Sequence, residues 1–397
     1  MANIGQYVIY IIMICAVIGA IAAIIDSESP LGKEFTAGLH SIGHIFIPVA
    51  GIMAAIPYLS AMISATLGPV FSAVGADPAM AATSLIAVDM GGYQLAAALA
   101  QSPEGWIIAS LTGFMAGATI IFSIPVGLAM LDKKDHHYMA LGVMCGVLSI
   151  PIGVLVSSLI LMGMEAGIRP DVNTAGDATQ ALALTVSQIM LNLAPLAVFC
   201  VVLAVCLWFL PDLMIRLFLT FGRLMYAAIT LVLVFSIVEY FTGFFAWAFG
   251  SWGFAPIIAD AEDQFRALEI AGYIGIMLSG AFPMVWLMNR FLQKPMAAVG
   301  SWLGLSPAGT TGLLAASANI LAMFRLIADM PPRDKVLVIA FAVCGAFMFG
   351  DHLAFSANFQ PTIILPLLLG KLIGGVAGFS FAAMLAGAKL QPQTALR

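Results

Sequence analysis

Long apolar runs are the feature that most limits how this chain can fold. Runs of about 20 residues, the length that a helix needs to cross a bilayer, recur along the whole sequence. Of the 397 residues 62% are hydrophobic and only 9% are charged, whereas a soluble domain carries roughly 25% charged residues. In lipid only helices and closed barrels satisfy their backbone polar groups, and barrel strands alternate over segments of about 10 residues. The sequence therefore predicts an all-α polytopic membrane protein.

The apolar runs predict about eleven transmembrane helices. Their limits are residues 7–25, 45–67, 79–100, 106–131, 138–164, 181–210, 217–249, 267–289, 309–327, 336–356 and 362–385. The two longest connections, 165–180 and 250–266, are too short to form domains of their own. We therefore expect residues 1–397 to form a single transmembrane domain.

A weak internal repeat appears when the sequence is compared with itself at an offset of 199 residues, which aligns Asp135 with Asp334. The offset contains about five helices. Because this number is odd, the second half of the chain (about 217–387) is predicted to be inverted relative to the first half (about 40–210). Inverted repeats with interrupted helices are the architecture of many secondary transporters. This arrangement places the basic fourth and ninth connections on opposite faces, so the positive residues indicate no clean orientation.

Charged residues within the apolar runs each need a physical reason, because a charge in the bilayer costs several kcal/mol. Asp89 lies in the third run with Gly91 and Gly92, which allow a ligand or a second backbone to approach closely. Asp351 and His352 lie late in the tenth run, where an interrupted helix would leave backbone groups free for a substrate. The structural alternative is that a neighbouring helix satisfies Asp89 and that Asp351 caps a short helix.

Amides and aromatic residues in the runs form a second group of candidate binding residues. Asn319 and Asn192 could hold a substrate, or could simply join two helices at roughly 1 kcal/mol each. Tyr93 and Trp286 could face a cation, although aromatic residues in membrane helices more often face lipid or the core. Candidates of second rank are Glu239, Gln188 and Lys371, the last as an ion-pair partner for Glu239 or Asp351.

No enzyme motif is present in the sequence. It contains no His-Glu-x-x-His segment, Walker loop or Gly-x-Ser-x-Gly elbow, so it predicts no catalytic residues, no metal site and no cofactor. An intramembrane enzyme that used Asp351 and His352 as acid and base is the weakest alternative, because no nucleophile lies nearby in the sequence. The net charge of −5 is small and indicates no nucleic-acid partner.

Five segments resemble the ethanolamine permease family EutH of bacterial ethanolamine-utilisation operons: residues 89–92, 122–126, 149–153, 350–353 and 370–376. The similarity runs from the first apolar run to the last in the same order, whereas the connections match poorly. The resemblance implies a multi-pass carrier of the bacterial cytoplasmic (inner) membrane that imports ethanolamine and is not an enzyme. It supplies no assignment of binding residues, so the candidate site rests on the physical argument.

Ethanolamine is a primary amine and is protonated at neutral pH. Asp89 or Asp351 would bind its ammonium group, Asn319 or Asn192 would hold its hydroxyl, and His352 would relay a proton or orient Asp351. Three alternatives stay open: a carrier for another small amine or polar metabolite, a passive channel, and proton-coupled, sodium-coupled or uncoupled transport. The lipid bilayer surrounds the helices, and small-residue helix faces would also allow a homo-oligomer.

Overall fold

The computed structural model describes residues 4–174 and 176–385, and within them the chain is helical and contains no strand. The α-helices are α1 Ile4–Ile25, α2 Pro30–Ala54, α3 Ile56–Ala65, α4 Leu67–Ala73, α5 Ala79–Thr83, α6 Gly92–Leu99, α7 Pro103–Thr112, α8 Ile124–Met130, α9 His136–Val147, α10 Ile150–Met164, α11 Val186–Phe209, α12 Pro211–Thr242, α13 Phe244–Phe249, α14 Ala267–Trp302, α15 Pro307–Ala318, α16 Ile320–Leu326, α17 Pro332–Gly345, α18 Asp351–Phe359 and α19 Ile364–Leu385. Shorter elements are the 3₁₀ turns Val88–Met90, Lys133–Asp135, Ile327–Asp329 and Pro361–Ile363, and the π-helix Gly113–Ser123. The prediction of an all-α protein is confirmed.

Long apolar helices confirm the prediction of a multi-pass membrane protein. Within the described ranges, eight helices are long and apolar enough to cross a bilayer, or nine if the bent pair α3 and α4 counts as one span. Three predicted spans, 79–100, 309–327 and 336–356, consist of shorter helices, none of which is long enough to cross a bilayer. The predicted count of eleven is therefore not confirmed, because apolar length alone does not reveal where a helix breaks or turns back.

The first interrupted segment is a re-entrant hairpin, called hairpin 1 (residues 77–101). Helices α5 and α6 have five and eight residues, far fewer than the roughly 20 that a crossing requires. The two ends of the segment meet at Asp77, whose carboxylate accepts hydrogen bonds from the backbone N–H groups of Ala79 and Gln101, each at 2.9 Å. The chain therefore enters and leaves by the same face, and the turn between α5 and α6 lies deepest in the protein.

Helices α15 and α16 form a second re-entrant hairpin, called hairpin 2 (residues 306–331). The Ser306 N–H donates a hydrogen bond to the Asp334 carboxylate at 2.7 Å, so α15 begins beside the start of α17. The Phe349 N–H, just after α17, donates to the Ser317 carbonyl near the end of α15 at 2.8 Å. Helices α15 and α17 thus run in the same direction, and α16 returns the chain to the face from which α15 entered.

The two hairpins enter from opposite faces of the molecule. The span Lys133–Met164 begins near hairpin 2, because Asp135 forms an ion pair with Lys335, at the start of α17, at 2.6 Å. The span ends near hairpin 1, because Asn192, in the following helix α11, accepts a hydrogen bond from the Asp77 N–H at 2.8 Å. The fold therefore contains two hairpins of inverted orientation.

The offset of 199 residues predicted from the sequence is wrong for an inverted repeat, because the helices that it aligns run in the same direction. At the offset of 199 residues α9 corresponds to α17, and an inverted repeat would make these two helices antiparallel. Gly142 of α9 packs on Ile339 of α17, and Gly146 packs on Val343, so the helices run parallel from the same face. Chance matches between small residues, which are abundant throughout the chain, favoured that offset. The division of the chain into two halves stays a prediction.

Helix α2 crosses from the face of hairpin 2 to the face of hairpin 1. Helix α14 ends next to hairpin 2 in the sequence and packs antiparallel on α2, where Gly38 contacts Ser279 and Ile42 contacts Gly275. A side chain at Gly38 would collide with the α14 backbone. Glycine therefore sets how closely these two long helices pack, and α2 brings its middle residues to the interior.

Basic residues concentrate on the face of hairpin 2, which corrects the prediction that the fourth and ninth connections lie on opposite faces. This face, called the basic face, carries Lys33, Lys133, Lys134, Arg333 and Lys335. Among the described connections of the opposite face, called the acidic face, the basic residues are Arg169 and Arg266. The positive-inside rule therefore predicts that the basic face is cytoplasmic.

Cysteine labelling tests this orientation. Gln264→Cys, exposed on the acidic face, is expected to react with a membrane-impermeant maleimide in intact cells. Lys134→Cys, exposed on the basic face, is expected to react only after the cells are permeabilised. Four of the five native cysteines are buried, and Cys206 is partly exposed, so Cys206→Ser provides the background. The reverse labelling pattern would invert the orientation.

Candidate functional site

A cavity of about 690 Å³ lies among the tips of both hairpins, α2 and the break between α17 and α18. We call it the central cavity. Its lining brings together four residues that the sequence analysis selected: Asp89, Asn319, Asp351 and His352. Each of the four lies at an interruption of a helix, so the breaks in the fold are what place polar groups at this depth.

A glycine-dependent turn holds Asp89 at the tip of hairpin 1. Val88–Met90 form a 3₁₀ turn, and Gly91 follows with φ +90°, a left-handed conformation that favours glycine. A Cβ atom at Gly91 would lie 2.9 Å from Cγ2 of Ile52 on α2, so glycine also permits the close approach of α2. Gly92 then starts α6. The paired glycines therefore act by shaping the backbone beside Asp89.

The break between α17 and α18 supplies the second carboxylate of the cavity. Asp351 lies in the first turn of α18 and lines the cavity. The next residue, His352, is 1% exposed, and its Nε2 lies 3.9 Å from Oδ1 of Asp89, whose side chain is 16% exposed. Neither this Oδ1 nor Nδ1 of His352 has a hydrogen-bond partner among the described residues. The cavity thus offers two carboxylates and an imidazole with free polar atoms.

Asn319 forms the tip of hairpin 2. Its backbone is extended, with φ −152° and ψ 120°, which ends α15. Its side-chain Oδ1 accepts a hydrogen bond from the Leu321 N–H at 2.8 Å and so caps α16. No residue of the described chain accepts a hydrogen bond from Nδ2 of Asn319. This amide group therefore remains as a donor toward the cavity.

Three polar residues of the cavity were missed by the sequence analysis: His40, Ser41 and His44 on α2. The second predicted span began at residue 45, whereas α2 begins at Pro30, so these residues were assigned to a connection. This helix is less apolar than α1. The four-residue spacing of His40 and His44, which places both on one helix face, was a usable signal.

The central cavity opens toward the basic face. His40 and His44, in the half of α2 nearer that face, are exposed, and Met130 at the end of α8 is 42% exposed. His352, at the deep end, is 1% exposed. Toward the acidic face the cavity is closed where Ile52 packs on the backbone of hairpin 1. The exposed residues of the lining therefore lie toward the basic face, and the buried residues lie toward the acidic face.

Three other candidates have hydrogen bonds at helix ends and do not line the central cavity. Oδ1 of Asn192 accepts a hydrogen bond from the Asp77 N–H, and Nδ2 of Asn192 donates to the Gln188 carbonyl at 2.9 Å. Gln188 itself forms a capping box with Thr185 at the start of α11. The Glu239 carboxylate accepts a hydrogen bond from the Phe245 N–H at 2.7 Å, next to the start of α13. These contacts give all three residues structural roles.

The remaining candidates also lie outside the lining of the central cavity and contact other protein groups. The Tyr93 hydroxyl accepts a hydrogen bond from Gln360 Nε2 at 2.8 Å, and its ring is 1% exposed. The Trp286 ring faces the Arg290 guanidinium at 5.4 Å. Lys371 donates to the Phe114 carbonyl at 2.9 Å and forms no ion pair with an acid among the described residues. Its hydrogen bond instead satisfies a carbonyl in the π-helix, where the normal helical pattern is interrupted.

Comparison with known proteins gives a match along the whole chain. A family described as "Ethanolamine utilisation protein, EutH" matches residues 4–385. The chain is similar to the probable ethanolamine permease EutH of Listeria monocytogenes, with 35% identity over 401 residues that cover 100% of this chain and 99% of that protein. It is also similar to the probable ethanolamine permeases EutH of Escherichia coli and Salmonella typhimurium, each with 35% identity over 403 residues and 96% of both chains covered. No solved structure matches the chain.

Proposed function

The chain belongs to the EutH family, and on this premise we propose that it is a carrier that imports ethanolamine, with Asp89 and Asp351 binding the ammonium group. It is a multi-pass transporter of the bacterial inner membrane and not an enzyme. The observation that carries the proposal is the convergence of both carboxylates with Asn319 and His352 in one cavity. A homo-oligomer remains a prediction.

Desolvation is the physical reason why such a carrier needs carboxylates. An ammonium group that leaves water without a partner loses far more free energy than a neutral polar group does. Asp89 is largely buried and has an unpartnered Oδ1, so an ammonium group there replaces missing hydrogen bonds. Nδ2 of Asn319 can donate to the substrate hydroxyl, and the hydroxyl can donate to Nδ1 of His352. Ethanolamine would thus satisfy atoms that the fold leaves open.

The inverted hairpins support a carrier rather than a channel. The cavity is open toward the basic face and closed toward the acidic face, so the described part of the chain forms no continuous pore in this conformation. Hairpin 1 enters from the acidic face and hairpin 2 from the basic face, and each brings a polar residue, Asp89 or Asn319, to the site. Movement of one hairpin at a time would expose the same site to alternate faces, which is alternating access.

Uptake of labelled ethanolamine into proteoliposomes tests this proposal, with and without a proton or sodium gradient. We expect saturable uptake, and its gradient dependence would identify any coupling ion. Unlabelled ethanolamine should compete best, ethylamine about thirtyfold more weakly because it lacks the hydroxyl and its two hydrogen bonds, worth about 1 kcal/mol each, and ethanol not measurably. Uptake no greater than in protein-free liposomes under every gradient would contradict the proposal, and flux that does not saturate would indicate a channel.

A further inference from the structure

A second cavity, of about 540 Å³, lies on the acidic face. We call it the acidic vestibule. The end of α2, hairpin 1 and the connections that precede α11 and α14 form its walls. Its lining contains three carboxylates, Asp171, Glu262 and Asp263, and one cation, Arg266. The central cavity opens toward the opposite face, so the two cavities approach the membrane interior from opposite sides.

Arg266 does not neutralise the three carboxylates of the vestibule, so an excess of negative charge remains. Its Nη2 lies 3.0 Å from Oδ2 of Asp260, which is not part of the lining, and its Nη1 lies 3.6 Å from Oδ2 of Asp263. No ion pair within the described ranges includes Asp171 or Glu262. A cavity walled by unneutralised carboxylates raises the local concentration of small cations.

Gln94 provides an independent indication that the vestibule binds a ligand. This residue lines the vestibule from hairpin 1 and is 8% exposed. Neither its Nε2 nor its Oε1 has a hydrogen-bond partner among the described residues. Leaving a buried polar group unpaired costs about 1–3 kcal/mol. A ligand with a hydroxyl group and an ammonium group can supply both a donor and an acceptor to this amide.

A thin barrier separates the vestibule from the central cavity. Asp89 lines the central cavity, Gln94 lines the vestibule, and Gly91 lies between them on the same hairpin. A Cβ atom at Gly91 would lie 2.9 Å from Cγ2 of Ile52 and 3.3 Å from Cγ of Met53. These two side chains of α2 therefore close the path between the cavities, and both would have to shift for a solute to pass.

We propose that the acidic vestibule is a second binding site for the protonated amine, an access subsite where Asp171, Glu262 and Gln94 hold ethanolamine before it reaches Asp89. This inference rests on the proposed function, because it assigns the vestibule the same substrate. The subsite acts from the acidic face alone. It lowers the substrate concentration needed for transport from that face, and the central cavity still determines the maximal rate from that face.

Kinetics from each face separately test the subsite. The double variant Asp171→Asn/Glu262→Gln is expected to raise the KM for ethanolamine roughly fivefold or more when substrate is added at the acidic face. Its maximal rate from the acidic face should stay near the wild-type value, and its KM from the basic face should not change. Because the ratio of maximal rate to KM must change equally in both directions, its maximal rate from the basic face should fall by the same factor. The matched control is Glu28→Gln/Asp132→Asn, which removes two exposed carboxylates from the opposite face and should leave both KM values unchanged.

A second variant, Gln94→Leu, replaces the unpaired amide with an apolar side chain of similar size. It should also raise the KM from the acidic face alone, without loss of folded protein. Unchanged KM values for both variants from the acidic face would overturn the subsite, and so would an equal rise from both faces. If the wild-type protein transports no ethanolamine from either face, the proposed function itself fails, and the subsite fails with it.

Discussion

Asp89→Asn is expected to lower ethanolamine transport about a hundredfold. The amide has the size of the carboxylate but not its charge, so the ammonium group loses its ionic partner in a largely buried site. Removing one member of a buried charge pair costs roughly 2–5 kcal/mol, and each 1.4 kcal/mol is about a tenfold change. Asp351→Asn is expected to act in the same direction. The measurement is the initial uptake rate in proteoliposomes with equal amounts of each variant.

Two controls separate this effect from misfolding or a general change in charge. Asp132→Asn removes an exposed carboxylate that is paired with Lys134, and its transport should equal that of the wild type. Thermal melting of purified Asp89→Asn and Asp351→Asn should show folded protein. If both variants transport at the wild-type rate, the assignment of these carboxylates to the substrate is wrong, whatever the substrate is.

Asp77→Ala is expected to destabilise hairpin 1 by about 3 kcal/mol. The Asp77 side chain is buried, with 7% exposure, and accepts hydrogen bonds from Ala79 and Gln101 at the two ends of the hairpin. Hydrogen bonds to a charged group each contribute about 1.5–3 kcal/mol. Loss of both bonds leaves the buried Ala79 N–H without a partner and releases the Gln101 N–H from the other end of the hairpin. A lower melting temperature in detergent and a smaller amount of protein in the membrane are the expected results.

Asp334→Ala tests the equivalent anchor of hairpin 2, where the Asp334 carboxylate accepts a hydrogen bond from the Ser306 N–H. We expect it also to lower the melting temperature, and Asp132→Ala, an exposed residue, to leave it unchanged. A wild-type melting temperature for Asp77→Ala would mean that the hairpin is held in place by apolar packing alone. The comparison therefore shows whether the two aspartates anchor the two hairpins.

The sequence predicted the membrane class and the two carboxylates of the central cavity for the same physical reason. A charge such as Asp89 or Asp351 is too costly in lipid to persist without a partner, so its position marks an interior site. Gly91 and Gly92 also indicated an irregular backbone. The break at Asn319 gave no such signal, because residues 313–330 contain no glycine or proline. Asn319 was recognised only as an amide in an apolar run.

Re-entrance could not be predicted, because an apolar run of 22 residues such as 79–100 meets the length criterion for a crossing. What shows that this run turns back is a tertiary contact, the hydrogen bonds of Asp77 to both ends of the hairpin. The same limit explains why Asn192 and Glu239 were selected as candidate binding residues although they have structural contacts. The sequence indicates that these side chains are in the membrane region, but it does not reveal that backbone groups already satisfy them.

Equilibrium binding of labelled ethanolamine to the purified protein tests the central claim most directly. Wild-type protein and the control Glu28→Gln/Asp132→Asn are expected to bind it saturably and with equal affinity. The double variant Asp89→Asn/Asp351→Asn, still folded by thermal melting, is expected to show no saturable binding at the central cavity, with at most weak binding from the vestibule. Wild-type affinity in this double variant would contradict the claim that the two carboxylates form the substrate site.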